Sequence, residues 1–104
     1  MNDCIFCKII KEETENIFLY QDLDFVVFNS NAPAAEHHLL IVPKNHINSF
    51  MELSNEILGM TKVAQKMVKD LNLSDGYKMI FNGGKYQEVP HVHWHLLAGK
   101  LEEI

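Results

Sequence analysis

His91-Val92-His93-Trp94-His95-Leu96-Leu97 sets three imidazoles at every second position, with apolar residues between them. A β-strand turns successive side chains to opposite faces. His91, His93 and His95 therefore share one face, and Val92, Trp94 and Leu96 take the other. The first face reads as chemistry and the second as core. Near neutral pH an imidazole can serve as nucleophile, base, acid, orienting group or metal ligand. Half of the chain's six histidines fall in this segment, at strict period two beside an apolar face, which sets it apart from a solvated strand.

The flanking sequence supplies the rest of an α+β domain. Cys4 to Glu12 carries Ile5, Ile9 and Ile10 at helical spacing and predicts a short helix. Phe18-Leu19-Tyr20 and Phe25-Val26-Val27-Phe28 predict two strands around a turn at residues 21–24. Residues 29–36 read as a loop containing Pro33. Leu39 to Val42 is apolar on both faces, so it predicts a central strand, ended by Pro43. Ser54 is an N-cap candidate for the longest helix. Ile57, Met60, Val63, Ala64, Met67, Val68 and Leu71 then recur at threes and fours, the stripe of a core-facing helix. Tyr77 to Phe81 and His91 to Leu97 predict the last two strands. The order predicts one α+β domain over residues 1–104.

The chain has 104 residues, 47% of them hydrophobic, enough for one core. So short a chain leaves much surface exposed, which favours a homodimer. No apolar run approaches the roughly 20 residues needed to cross a membrane. Met1-Asn2-Asp3-Cys4 lacks a signal-peptide start. The expectation is a cytoplasmic protein with reduced cysteines and no membrane partner. The formal charge is −5, and no dense run of lysines forms the patch that nucleic-acid binding needs. Any nucleotide should be held locally, by backbone N–H groups and imidazoles. Leu101-Glu102-Glu103-Ile104 reads as a plain acidic tail.

The triad segment resembles the signature of the histidine triad (HIT) nucleotide hydrolases and transferases. Cys4-Ile5-Phe6-Cys7-Lys8-Ile9-Ile10 resembles the family's opening. His38-Leu39-Leu40-Ile41-Val42-Pro43-Lys44-Asn45-His46 resembles its central strand and following turn. Asn82 with the glycines after it resembles its phosphate-side loop. The small Hint-like branch is the nearest. The resemblance implies a five-stranded antiparallel sheet with a short N-terminal helix and one long helix, paired across a homodimer into one continuous sheet.

It also implies roles. His93 is the nucleophile that forms a covalent nucleotidyl intermediate, and His95, His91 and His38 complete the catalytic set. Phe28, Ser30, Asn82, Gln87, Glu88 and Val89 fall at nucleotide-contacting positions. The substrate class is a purine nucleoside phosphoramidate or related nucleotide ester. His37, out of phase with His38, is expected to face solvent. Two positions depart from the Hint pattern. Ser30 stands where an aspartate commonly holds the ribose. Glu88 stands where a small hydroxyl residue helps protonate the leaving amine; its carboxylate either repels phosphate or donates a proton.

Cys4 and Cys7, with His46 and His91, would make a tetrahedral Cys2His2 site for structural zinc, as in several bacterial HIT proteins. No catalytic metal is expected. Other readings stay open: a regulatory nucleotide-binding protein with weak or no turnover, a dinucleoside polyphosphate hydrolase, and a metal-binding structural protein. The triad itself suits the last poorly. Its histidines lie about 6.5–7 Å apart along a strand, too far to share one ion.

Overall fold

The computed structural model describes residues 4–12 and 16–101. The chain's first three residues and most of its acidic tail lie outside them. The short helix α1 spans Ile5–Ile10, and the strands are β1 Phe18–Gln21, β2 Phe25–Asn29 and β3 Ala35–Pro43. The long helix α2 (Glu56–Asp70) follows, then β4 (Tyr77–Ile80) and β5 (Trp94–Leu101). The five strands form one antiparallel sheet in the order β1-β2-β3-β5-β4. Among the described residues, no helix is long and apolar enough to cross a membrane.

β-Branched and aromatic residues fill β2, the apolar run Leu39 to Val42 fills the middle of β3, and both stretches are covered on both faces. Val27, Leu39, Ile41, Leu96 and Ala98 meet Met60, Val63, Ala64 and Met67 of α2. On the other face Val26, Phe28, Leu40 and Val42 meet Phe6, Cys7 and Ile9 of α1. Each fully buried apolar side chain contributes about 1.5–3 kcal/mol. α2 lies close on the sheet because Gly59 has no Cβ. One built there would come within 2.5 Å of the Phe25 ring.

Local details differ from the sequence reading. β3 begins at Ala35, inside the expected loop, because its pairing with β5 continues past a bulge between Ala35 and His37. The N-cap of α2 is Asn55, not Ser54, and it makes no side-chain cap bond. Glu56 Oε1 instead accepts from the Ser54 N–H at 2.8 Å. Ile57 and Leu71, at the ends of the stripe, remain partly exposed. β5 starts at Trp94, three residues later than expected. The alternation nevertheless begins earlier. Val92 donates its N–H to the Ile47 carbonyl and buries its side chain with the α2 core, while His91 and His93 are buried away from it.

Candidate active site and metal centre

His38 sits on β3 and His95 on β5. The register places Leu40 opposite His95. His38, two residues from Leu40 and on the same face, is therefore the diagonal neighbour of His95. His38 Nε2 and His95 Nδ1 are 2.8 Å apart. The Ala34 N–H donates to His38 Nδ1 at 2.9 Å. That bond fixes the whole relay. His38 Nδ1 is an acceptor, so Nε2 carries the proton and donates to His95 Nδ1. His95 must then carry its own proton on Nε2. Among the described residues, His95 Nε2 is buried with no hydrogen-bond partner. It is a donor for which the described residues supply no acceptor.

The adjacent ring is fixed by similar logic. His93 Nδ1 lies 2.8 Å from the His91 carbonyl oxygen, which can only accept. The proton is on Nδ1, and Nε2 keeps its lone pair. Phe6 of α1 meets the His93 ring edge-on at 4.9 Å, and the His93 and His95 rings are 5.0 Å apart. Burial pushes His95 down to about 4, with the His93 and His38 rings adding to the shift. Burial also lowers His38 and His93; the His91 carbonyl and then Glu88 partly oppose it at His93. The site therefore presents, near pH 7, one nucleophilic nitrogen and one N–H donor, both on neutral rings.

His91 faces elsewhere. Its Nε2–H donates to the Pro43 carbonyl at 2.8 Å, so the Nδ1 lone pair points toward Cys4 Sγ at 3.4 Å and Cys7 Sγ at 3.5 Å. His46 Nε2 meets Asn48 Oδ1 at 2.8 Å, and its Nδ1 lies 3.1 Å from Cys7 Sγ. Burial dominates at His91, holding it near 4. The four ligand atoms lie within 4.8 Å of one another. Ligands about 2.0–2.3 Å from a tetrahedral ion stand about 3.3–3.8 Å apart, close to the spacings seen here. Both imidazoles turn a lone pair inward. The donor set fits a metal ion, and Cys4, Cys7, His46 and His91 can hold one.

The other expected contacts are dispersed. Phe28 is buried on β2 against Phe6 and Phe18. Ser30 is half-buried, and its Oγ accepts from the Ala32 N–H at 3.2 Å. Asn82 and Glu88 are exposed, and Val89 packs against the core cluster beneath α1. Gln87 turns to its own backbone: its Nε2 donates to the carbonyls of Asn48 at 2.6 Å and Val89 at 2.9 Å. His37 is half-buried, out of phase with His38, and lines an open cavity of about 590 Å³ with Asn72, Asp75 and Tyr77. It shares the α2 face of β3, where the end of α2 shelters it. Four supporting groups were missed from sequence: the Ala34 N–H, the Pro43 carbonyl, Asn48 and Phe6. Only the position of Phe6 between two cysteines gave any signal.

The HIT domain model matches residues 11–102. The chain is 38% identical over 103 residues to adenosine 5′-monophosphoramidase HNT1 of Saccharomyces cerevisiae, covering 96% of this chain and 65% of that protein. A histidine triad protein from Clostridium difficile superposes with a TM-score of 0.91 at 34% identity, covering 100% of this chain and 96% of the other. A zinc-bound histidine triad family protein from Mycobacterium smegmatis superposes with a TM-score of 0.84 at 28% identity, covering 94% of this chain and 76% of that one. On the triad geometry and these matches together, the chain belongs to the histidine triad (HIT) family, in its Hint-like branch.

Proposed function

We propose that the protein is a hydrolase of nucleoside phosphoramidates or related nucleotide esters. It acts through a covalent nucleotidyl group on His93, and purine nucleoside monophosphate is the retained moiety. The observation that carries this reading is a pair of complementary nitrogens on rings 5.0 Å apart, His93 Nε2 with its lone pair and His95 Nε2 with an N–H that has no partner among the described residues. His93 Nε2 attacks phosphorus as the bond to the leaving amine breaks, and the amine nitrogen takes a proton from solvent. Water then adds hydroxide to phosphorus, breaks the bond to His93 and gives its other proton to solvent. The His95 N–H stabilises the phosphoryl oxygens as charge shifts onto them. His38 keeps that N–H on the correct nitrogen. The phosphoramidase named among the relatives supports the substrate class.

Val89 and Phe28, the latter buried against Phe6 and Phe18, are assigned to the base and sugar side of the site. Ser30, Asn82, Gln87 and Glu88 are assigned to the nucleotide's polar groups. One observation favours a second reading, a nucleotide-binding protein with weak turnover: Ser30 Oγ is engaged by the Ala32 N–H, which weakens its grip on a ribose. The cation at Cys4, Cys7, His46 and His91 is assigned as structural zinc, cross-linking α1 to the triad segment. With four protein ligands it leaves no open position for substrate. Reduced buried thiols suit a cytoplasmic setting. A homodimer is proposed across the β4 edge, where Tyr77, Met79 and Phe81 are exposed and the buried Trp94 Nε1 has no acceptor among the described residues.

A panel of nucleoside phosphoramidates, dinucleoside polyphosphates and nucleotidyl sugars, read by release of nucleoside monophosphate, tests the reading. Turnover led by phosphoramidates is the expected result. Stoichiometric nucleotide binding with no release from any member would replace the hydrolase by the binding protein.

A further inference from the structure

We propose that Phe6 is a positioning residue for the nucleophile, and that the metal centre at Cys4, Cys7, His46 and His91 acts on the His93 ring through it. The inference rests on the hydrolase reading above and deepens it. Phe6 stands between the two cysteines in the chain, and it is buried, at 6% exposure. Its ring packs against three others: His93 at 4.9 Å with the planes at 90°, Phe28 at 5.6 Å and His91 at 6.0 Å. All three are edge-on contacts in the range where aromatic rings attract.

The His93 ring needs such a neighbour. The bond from its Nδ1–H to the His91 carbonyl pins one corner at 2.8 Å and fixes the tautomer. A ring held at one corner can still tilt and carry Nε2 off line. The rings that pack on it, Phe6 and His95, limit that tilt. The His38 relay fixes the His95 ring. Phe6 has to be fixed by α1.

α1 cannot do this alone. It has six residues, well short of the roughly 12–15 at which an isolated helix becomes marginally stable. Its hold on the sheet comes from the buried side chains of Phe6, Cys7 and Ile9, and from Cys4 at its N-cap, whose Sγ accepts from the Cys7 N–H at 3.4 Å. Both cysteines reach other segments of the chain. Cys4 Sγ lies 3.4 Å from His91 Nδ1, and Cys7 Sγ lies 3.1 Å from His46 Nδ1. An ion held by these four residues fastens the chain on either side of Phe6. His91 offers a second route to the nucleophile, through its carbonyl. Its ring, however, is already held by the Pro43 carbonyl at 2.8 Å without any ion. The route that depends on the metal is therefore the one through Phe6.

The test crosses Phe6→Leu with metal removal. Wild type and variant are assayed on one nucleoside phosphoramidate, each saturated with zinc and again after chelation, with metal content and a denaturant titration on every sample. Misplacing a reacting group by about 1 Å costs up to about a hundredfold, so chelating the wild type should lower kcat about tenfold with KM within about twofold. Zinc-loaded Phe6→Leu should show the same loss. Chelating the variant should then cost less than about twofold more, because two changes that act through one contact do not add. Nitrogen NMR of the His93 ring should follow the rates: one sharp form protonated on Nδ1 in zinc-loaded wild type, and the same broadening in the other samples. Phe6→Met, whose flexible chain fills irregular space, replaces leucine if that variant does not fold or hold zinc. Losses that multiply, a loss confined to KM, a chelated wild type with unchanged kcat and ring signals, or a chain that takes up no zinc each overturn the proposal. If zinc-loaded wild type turns over no phosphoramidate, the hydrolase reading fails; the ring signals alone, with the same expected pattern, then judge the positioning role.

Discussion

Replacing His38 by leucine should disable the site without touching the nucleophile. In the native relay the Ala34 N–H fixes the His38 tautomer, and the His38 Nε2–H fixes that of His95 across 2.8 Å. Leucine fills much of the volume but donates nothing. His95 is then free to move its proton to Nδ1, turning a lone pair toward the phosphoryl oxygens where a donor is needed. Loss of one fixed donor at a charge-developing oxygen costs about a hundredfold to a thousandfold in kcat. The change also leaves the Ala34 N–H and His95 Nδ1 without partners, at about 1–3 kcal/mol for each buried group. Steady-state kinetics on a phosphoramidate, with a denaturant titration on the same preparation, read both effects. We predict a kcat fall of about a hundredfold or more with a smaller change in KM, and partial recovery in His38→Gln, whose amide can donate to His95. If His38→Leu folds and keeps more than about a third of wild-type kcat, the relay does not set the His95 tautomer.

Protein purified without a histidine tag should carry about one zinc per chain, and chelation should lower the denaturation midpoint. Less than about a fifth of a zinc per chain, with Cys4 and Cys7 both reacting freely with a thiol reagent, would remove the assignment. Stability should fall with acidity: folded His95 titrates at about 4, below its unfolded value of about 6.5, so between these the unfolded chain binds a proton that the folded chain refuses. Its contribution is complete above about pH 6.5 and is lost progressively toward pH 4; a denaturant midpoint unchanged between about pH 7 and pH 5, or an equal fall in His95→Asn, contradicts it. Light scattering should return twice the 12.0 kDa chain mass, and a species at the single-chain mass alone would exclude the dimer.

The sheet was legible because its central strands carry their burial in their composition. Val26-Val27-Phe28 and Leu39 to Val42 are apolar on both faces, and only a covered strand reads so. The α2 stripe and the alternation from His91 to Leu97 were legible for the same reason, since periodicity is a local signal. The start of β3 was hidden. Ala35, Glu36 and His37 follow Pro33 and look like loop, and only pairing with β5, about 60 residues on, makes them strand. The site split along the same line. The residue types of the triad and the metal cluster stand in the sequence. Their tautomers rest on the carbonyls of His91 and Pro43, the Ala34 N–H and the Asn48 amide, partners chosen by the fold. Gln87 shows the same: its amide N–H groups secure the loop through the Asn48 and Val89 carbonyls, a role its place in the motif does not announce.

The most direct measurement is to catch the intermediate. Wild-type protein is mixed with excess nucleoside phosphoramidate and quenched within one turnover, then peptide-mapped by mass spectrometry under conditions that preserve phosphorus–nitrogen bonds. His93→Ala is run in parallel. The account predicts a nucleoside monophosphoryl adduct confined to His93, lost on further incubation as the monophosphate is released, and absent from a folded His93→Ala whose rate is down by about a thousandfold or more. Turnover with the adduct on another residue, or a His93→Ala variant that keeps more than about a tenth of the wild-type rate, would contradict it.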